Sequence, residues 1–111
     1  MIRGYTDTMV LFLLLDEPSY GYEISRRIRE RTQDRYVMKE TTLYSTFNRL
    51  ESEGYVSSFY GTETSGNRRT YYRITPKGEA YYEEKKQEWE LTKDVIQNFI
   101  RNWSEGKNGR N

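Results

Sequence analysis

The chain has 111 residues, enough for one domain that folds without metals or disulfides, yet 34% of it is hydrophobic against 32% charged, so a lone copy would have a thin core that a second copy could thicken. Neither cysteine nor histidine occurs, which excludes disulfide frameworks, thiolate or imidazole metal sites, cysteine nucleophiles and a Ser-His pair; no catalytic residue, metal or cofactor is expected. The net charge of +1 is small for a nucleic-acid partner, so the signal lies in clusters, Arg26, Arg27, Arg29, Arg31, Arg35 and Lys39, then Arg68 and Arg69 beside Arg73.

The first predicted helix runs from about Thr6 to Leu15. Met9, Val10, Phe12, Leu13 and Leu14 make it apolar nearly all round, so it must be buried on most sides. Its apolar run, Met9 to Leu15, is far shorter than the roughly 20 residues that cross a bilayer, and no secretory signal precedes it, so a cytoplasmic protein is expected. Asp16-Glu17-Pro18-Ser19 stops this helix, because the residue before a proline avoids helical angles, and Ser19 is placed as N-cap for a second helix from Tyr20 to about Thr32. There Tyr20, Ile24 and Ile28 share one face while arginines cover the others, most simply as a solvated surface. Gln33 to Glu40 reads as a short connection. A third helix from Thr41 or Thr42 packs Leu43, Phe47 and Leu50 inward, ends at Gly54, and presents Thr42, Ser45, Asn48 and Arg49 outward with Tyr44 at the edge.

Tyr55 to Tyr60 and Arg68 to Ile74 are rich in β-branched and aromatic residues, and the turn-rich Gly61 to Asn67 joins them into a hairpin with a polar, mobile tip. Thr75-Pro76 opens a last helix, with Thr as N-cap and Pro at the first helical position, where its missing N–H costs nothing. It is predicted to reach Asn102 or Trp103, about 27 residues and ~40 Å at 1.5 Å per residue. Tyr82, Trp89, Ile96, Phe99 and Trp103 form a heptad seam along it, interrupted by Lys85 and Thr92 and flanked by Val95 and Ile100. Such a seam requires another helix to cover it.

The expected fold is mainly α with a small β-hairpin: a winged helix-turn-helix over residues 1–75, a C-terminal dimerisation helix over 76–103, and a disordered tail over 104–111. In this architecture the second motif helix enters the major groove of double-stranded DNA. Thr41, Thr42, Ser45 and Asn48 are short donors and acceptors suited to base edges, while Tyr44 and Arg49 reach phosphates. Arg68 and Arg69 lie on the hairpin, where they would bind phosphates or enter the minor groove. Trp89, Ile96, Phe99 and Trp103 would join two copies of the chain.

Three blocks make the sequence recognisable: Tyr20-Gly21-Tyr22-Glu23-Ile24, then Thr41 through Gly54, then Gly66 through Gly78. Together they resemble the signature of PadR-family transcriptional regulators over roughly residues 2 to 100. The resemblance implies a homodimeric repressor of the short subgroup, with one C-terminal helix, bound to a palindromic operator. Within the family the chain is similar to a multidrug-binding member whose dimer holds planar aromatic drugs between two tryptophans, and Trp89 falls at that position. An indole on a symmetric seam supplies two parallel π-faces, and stacking adds about 0.5–1.5 kcal/mol beyond area burial. Trp89, Lys85, Lys93, Tyr5 and Thr8 are the candidate ligand residues. The resemblance implies an acid one turn past the tryptophan, but the chain has Lys93 there and Lys85 one turn before, so neutral or anionic aromatics are expected.

Two other classes remain open at this level. A helical adaptor could use the long seam to hold a protein partner without binding DNA. An enzyme would need a buried carboxylate or lysine in a formed pocket, and Glu83-Glu84 and Glu88-Glu90 read instead as solvated charges on an exposed helix.

Overall fold

The computed structural model describes residues 5–62 and 68–109, with side chains described for 5–61 and 68–101. Its elements are α1 (Thr6–Leu14), α2 (Gly21–Arg31), α3 (Glu40–Ser52), β1 (Val56–Thr62), β2 (Arg68–Ile74) and α4 (Pro76–Gly109). The expected winged helix-turn-helix with one long C-terminal helix is the observed fold.

Helix α1 is the centre of the domain, touching α2, α3, α4 and β2. Val10, Leu11, Leu13 and Leu14 point in different directions around it, yet none is more than 4% exposed. Ile24 and Ile28 of α2 and Leu43, Phe47 and Leu50 of α3 close the core as their spacing predicts. Helix α3 begins at Glu40, slightly before the expected Thr41, and ends on Gly54 at φ 81°, a left-handed angle that suits glycine. Gly54 N–H then bonds the Glu51 carbonyl at 3.0 Å and Tyr55 N–H the Leu50 carbonyl at 2.9 Å, the paired bonds of a Schellman ending.

Ser19 departs from expectation. Its N–H donates to the Tyr72 carbonyl at 3.0 Å and its carbonyl accepts from Tyr72 N–H at 2.8 Å, so it forms a bridge beside the hairpin instead of capping α2. Tyr20 stands extended at the N-cap with no side-chain bond. The physical reason is that pairing two backbone groups with a strand satisfies more donors and acceptors than one hydroxyl cap does.

The connection after α2 does more than turn. Gln33 and Asp34 adopt left-handed angles of 56° and 63°, and Thr32 Oγ1 donates to the Ile28 carbonyl at 2.8 Å while accepting from Tyr36 N–H at 3.2 Å. This folded loop buries Met38 to 2% exposure. The antiparallel hairpin runs in register from Val56 opposite Ile74 to Thr62 opposite Arg68, and Phe47 stacks on Tyr72 at 3.9 Å. Of the expected turn-rich tip, Gly61 to Asn67, residues 61–62 instead continue β1, and residues 63–67 lie outside the described residues.

Helix α4 is longer than expected, 34 residues against about 27. Its backbone stays helical through 104–109, where a tail was expected; residues 110–111 lie outside the described residues. Its start is fixed as predicted, with Thr75 Oγ1 accepting from Gly78 N–H at 3.0 Å and donating to the Gly54 carbonyl at 2.7 Å. Tyr81 stacks on Tyr55 at 4.0 Å, which ties the first turns of α4 to the end of α3. Beyond Tyr82 the helix leaves the core and stretches the molecule to 69 × 29 × 22 Å.

Phe47→Ala would remove both the fully buried ring and its stack on Tyr72, at an expected cost of about 3–5 kcal/mol. Urea unfolding would show it as a lower midpoint at unchanged slope.

Candidate nucleic-acid interface and the groove behind it

Helix α3 shows its outer side to solvent as its spacing requires. Thr41, Tyr44, Ser45 and Asn48 are exposed and Thr42 is half-buried. Thr6, Thr41, Thr42, Ser45, Thr46 and Arg49 line a polar cleft of about 370 Å³ at the start of this face. Tyr44 serves two purposes: its ring lies 6.2 Å from Phe47, and a Cβ built on Gly21 would meet its hydroxyl at 2.9 Å. Glycine at the start of α2 is thus what lets Tyr44 lie there with 45% of its surface still exposed.

On the hairpin, the Arg69 guanidinium lies 3.8 Å from the centre of the Tyr20 ring and that of Arg68 lies 5.5 Å from the Tyr60 ring. Both cations are therefore held against aromatic faces on the flank of α3. Among the arginines of α2, Arg26 pairs with Glu23 and Glu30 and Arg29 with Asp34 at 3.4 Å on the solvated surface, whereas Arg31 lies over the Phe12 ring at 4.8 Å.

Arg49, expected at a phosphate, keeps half of its side chain exposed beside the polar cleft and is held there by an ion pair. Its Nη1 donates to Asp7 Oδ2 at 2.8 Å and its Nη2 to Oδ1 at 2.5 Å, and Tyr81 Oη donates to Oδ2 at 2.9 Å. Asp7 is buried, and a buried carboxylate needs donors, which the Arg49 guanidinium and the Tyr81 hydroxyl supply. Burial pushes the Asp7 carboxyl up, but the Arg49 and Tyr81 bonds and the Arg49 charge outweigh this and hold it below the usual carboxylate range. The same bond raises Arg49, and burial with the Asp7 bond raises Tyr81, whose hydroxyl stays protonated and so remains a donor. Neither Asp7 nor Tyr81 stood out in the sequence; an acid in the first turn of an otherwise apolar helix was the available signal.

Behind this face, α1, α2 and α4 enclose an apolar groove of about 490 Å³. Tyr5, Thr8, Met9, Phe12, Tyr82 and Trp89 line it, so Tyr5, Thr8 and Trp89 come together as expected. Lys85 and Lys93 do not line it. Lys85 lies over the Tyr81 ring at 5.4 Å and 3.5 Å from Glu88, and Lys93 lies over the Trp89 ring at 4.9 Å. The charges at the groove are Arg31, Lys86 and Glu90. Residues 85 and 86 straddle the Tyr82–Trp89 seam on opposite flanks, and only the packing of α4 on α1 selects which flank faces the groove. Among the described residues, no group of acidic side chains could hold a metal ion, and no helix is long and apolar enough to cross a membrane.

Because Asp7 is depressed in the folded chain, its stabilising contribution is complete above the ordinary carboxylate value of about 4 and is lost as pH falls through its lower folded value. Thermal melting of the wild type and Asp7→Asn should therefore differ at neutral pH and converge on acidification below about pH 4. A constant difference across that range would contradict the assignment.

Comparison with known proteins agrees with this geometry. The model of the transcriptional regulator PadR-like family matches residues 10–84. An uncharacterised protein from Lysinibacillus sphaericus is 43% identical over 100 residues, 90% of this chain and 92% of its own length. A transcriptional regulator from Clostridium thermocellum shares 62% identity and superposes with a TM-score of 0.82, covering 89% of this chain and 96% of that one. A PadR family transcription regulator from Clostridium difficile shares 40% identity at a TM-score of 0.77, covering 87% and 99%. With its wing, its outward α3 face and a family match that spans α1 to the first turns of α4, the chain belongs to the PadR-like family of transcriptional regulators, which bind DNA and are not enzymes.

Proposed function

We propose that the protein is a homodimeric repressor that holds a palindromic operator with two α3 helices and releases it when a planar aromatic ligand occupies the groove at Trp89. The observation that carries the dimer is the outer half of α4. Val95, Ile96, Phe99 and Ile100 are 55%, 51%, 69% and 57% exposed on a helix that projects past the core. Ile96 and Phe99 share the seam with Trp89, itself 41% exposed, and Val95 and Ile100 flank it. An exposed apolar row on a charged helix is covered most economically by its own copy, and regulators of this family typically dimerise. The Trp103 side chain, expected on the same seam, lies outside the described residues.

On the DNA side, Thr41, Thr42, Ser45 and Asn48 meet base edges, Tyr44 a phosphate, and Arg68 and Arg69 the flanking backbone. The two α3 helices must then lie about 34 Å apart, one turn of DNA. On the ligand side, the groove is lined almost entirely by apolar atoms, with Arg31 and Lys86 against Glu90 at its polar edge. One excess cation supports a neutral or anionic aromatic, now through Lys86 instead of Lys85 and Lys93. This likens the chain to the multidrug-binding members of the family. Such a ligand weakens operator binding only through tighter affinity for the DNA-incompetent dimer. No observation favours an adaptor that has lost DNA binding.

Sedimentation at micromolar concentration should show a two-chain species, and Ile96→Glu with Phe99→Glu should convert it to a monomer with operator affinity at least about tenfold weaker, since one half-site contact is lost. A wild-type monomer would end the reading. Replacing Arg68 and Arg69 by Ala should flatten the dependence of log K on log salt by about 0.9 for each phosphate contact removed. An unchanged slope would take the wing off the DNA.

A further inference from the structure

We infer that Asp7 is the positioning residue through which the groove at Trp89 and the DNA-reading helix sense one another, an inference that rests on the ligand-responsive reading above. Three elements with different tasks meet at this one carboxylate. It belongs to α1, between Tyr5 and Thr8, both of which line the groove. Arg49, which grips it with two nitrogens, sits one residue after Asn48 on α3. Tyr81, which donates the third bond, belongs to α4, two turns before Trp89.

The chemistry of the joint makes it a transmitter. Apolar side chains tolerate small sliding, because dispersion has no preferred direction. A fork of two guanidinium bonds requires the carboxylate and guanidinium to stay nearly coplanar, so a shift of α1 either carries α3 with it or breaks the fork. The Tyr81 ring is fixed as well, stacked on Tyr55 directly after α3. Asp7 therefore cannot follow α1 without changing its geometry to both neighbours. A planar ring inserted between Tyr5, Thr8 and Trp89 pushes on the turn of α1 that holds this carboxylate. The groove and the reading face then share one bistable contact: with the fork closed, α3 sits as described here; with it open, Arg49 is released and α3 is free to tilt. Arg49 acts through Asp7 and need not touch a base for the coupling to hold.

The test uses the full-length protein, a duplex selected by repeated binding from a random pool, and 1-anilinonaphthalene-8-sulfonate, an anionic planar aromatic whose fluorescence reports groove occupancy. Its affinity is measured with and without saturating duplex for the wild type, Asp7→Asn and Tyr81→Phe, each checked for dimer and melting temperature. In the wild type, duplex should weaken dye binding by at least about fivefold, the low end of ordinary coupling between sites. In both variants that ratio should fall to within about twofold of unity while dye affinity without duplex persists, a pattern that loss of stability alone does not produce. Should Asp7→Asn fail to fold, Tyr81→Phe keeps the stacked ring and deletes one donor, so the test survives. Wild-type coupling in a folded variant overturns the role of Asp7 and leaves the ligand reading standing. An absence of coupling in the wild type, or dye binding unaffected by Trp89→Ala, overturns both.

Discussion

The arrangement depends on one buried carboxylate that must be supplied with donors. Asp7 is buried in the first turn of α1, and a carboxylate left unpaired there would cost several kcal/mol, a large share of the roughly 5–15 kcal/mol by which a small domain stays folded. Arg49 and Tyr81 satisfy it from two other helices. Replacing the whole cluster by well-packed apolar groups would hold the fold equally well or better, so what the ion pair contributes is definite geometry more than stability. The position of α3 relative to α1 and α4 is set by directional bonds, and that position decides where the reading face points.

Aromatic stacking supplies what the modest hydrophobic content cannot. Eleven tyrosines occur in the chain, and several bridge core and surface. Tyr72 lies flat on Phe47, Tyr81 on Tyr55, and Tyr71 close to both Phe59 and Tyr20. Each contributes a large apolar face with a hydroxyl that need not be buried. Arginines then cover the outer rings, Arg69 on Tyr20 and Arg73 on Phe59, so the basic wing is also the lid of an aromatic layer. The arginines of the wing thus pack against its aromatic side chains, which holds their stems in place.

The two halves of the molecule differ in how completely they are satisfied. The winged domain has its core within one chain, and among the described residues no buried side-chain polar atom lacks a partner. Beyond Trp89, the described part of α4 has charged flanks and an apolar row, Val95, Ile96, Phe99 and Ile100, left exposed. A helix of this kind is stable by packing and only weakly by propensity, so its outer half has its natural place against another helix. The groove at Trp89 lies where these halves join.

Periodicity in the sequence determined the elements themselves: the apolar spacing of α2 and α3, the Thr75-Pro76 start of α4, the Gly54 ending and the two strands were legible because each is set by neighbours within a few residues. The outward face of α3 was legible for the same reason, since the inward positions Leu43, Phe47 and Leu50 fix its opposite side. Tertiary structure alone decided what depends on which elements meet. Ser19 pairs with Tyr72 across more than fifty residues of chain, Arg49 pairs with Asp7 of α1, and Lys86 faces the groove in place of Lys85. Local spacing leaves each of these choices equal, and only the approach of a distant donor, acceptor or apolar surface separates them in energy.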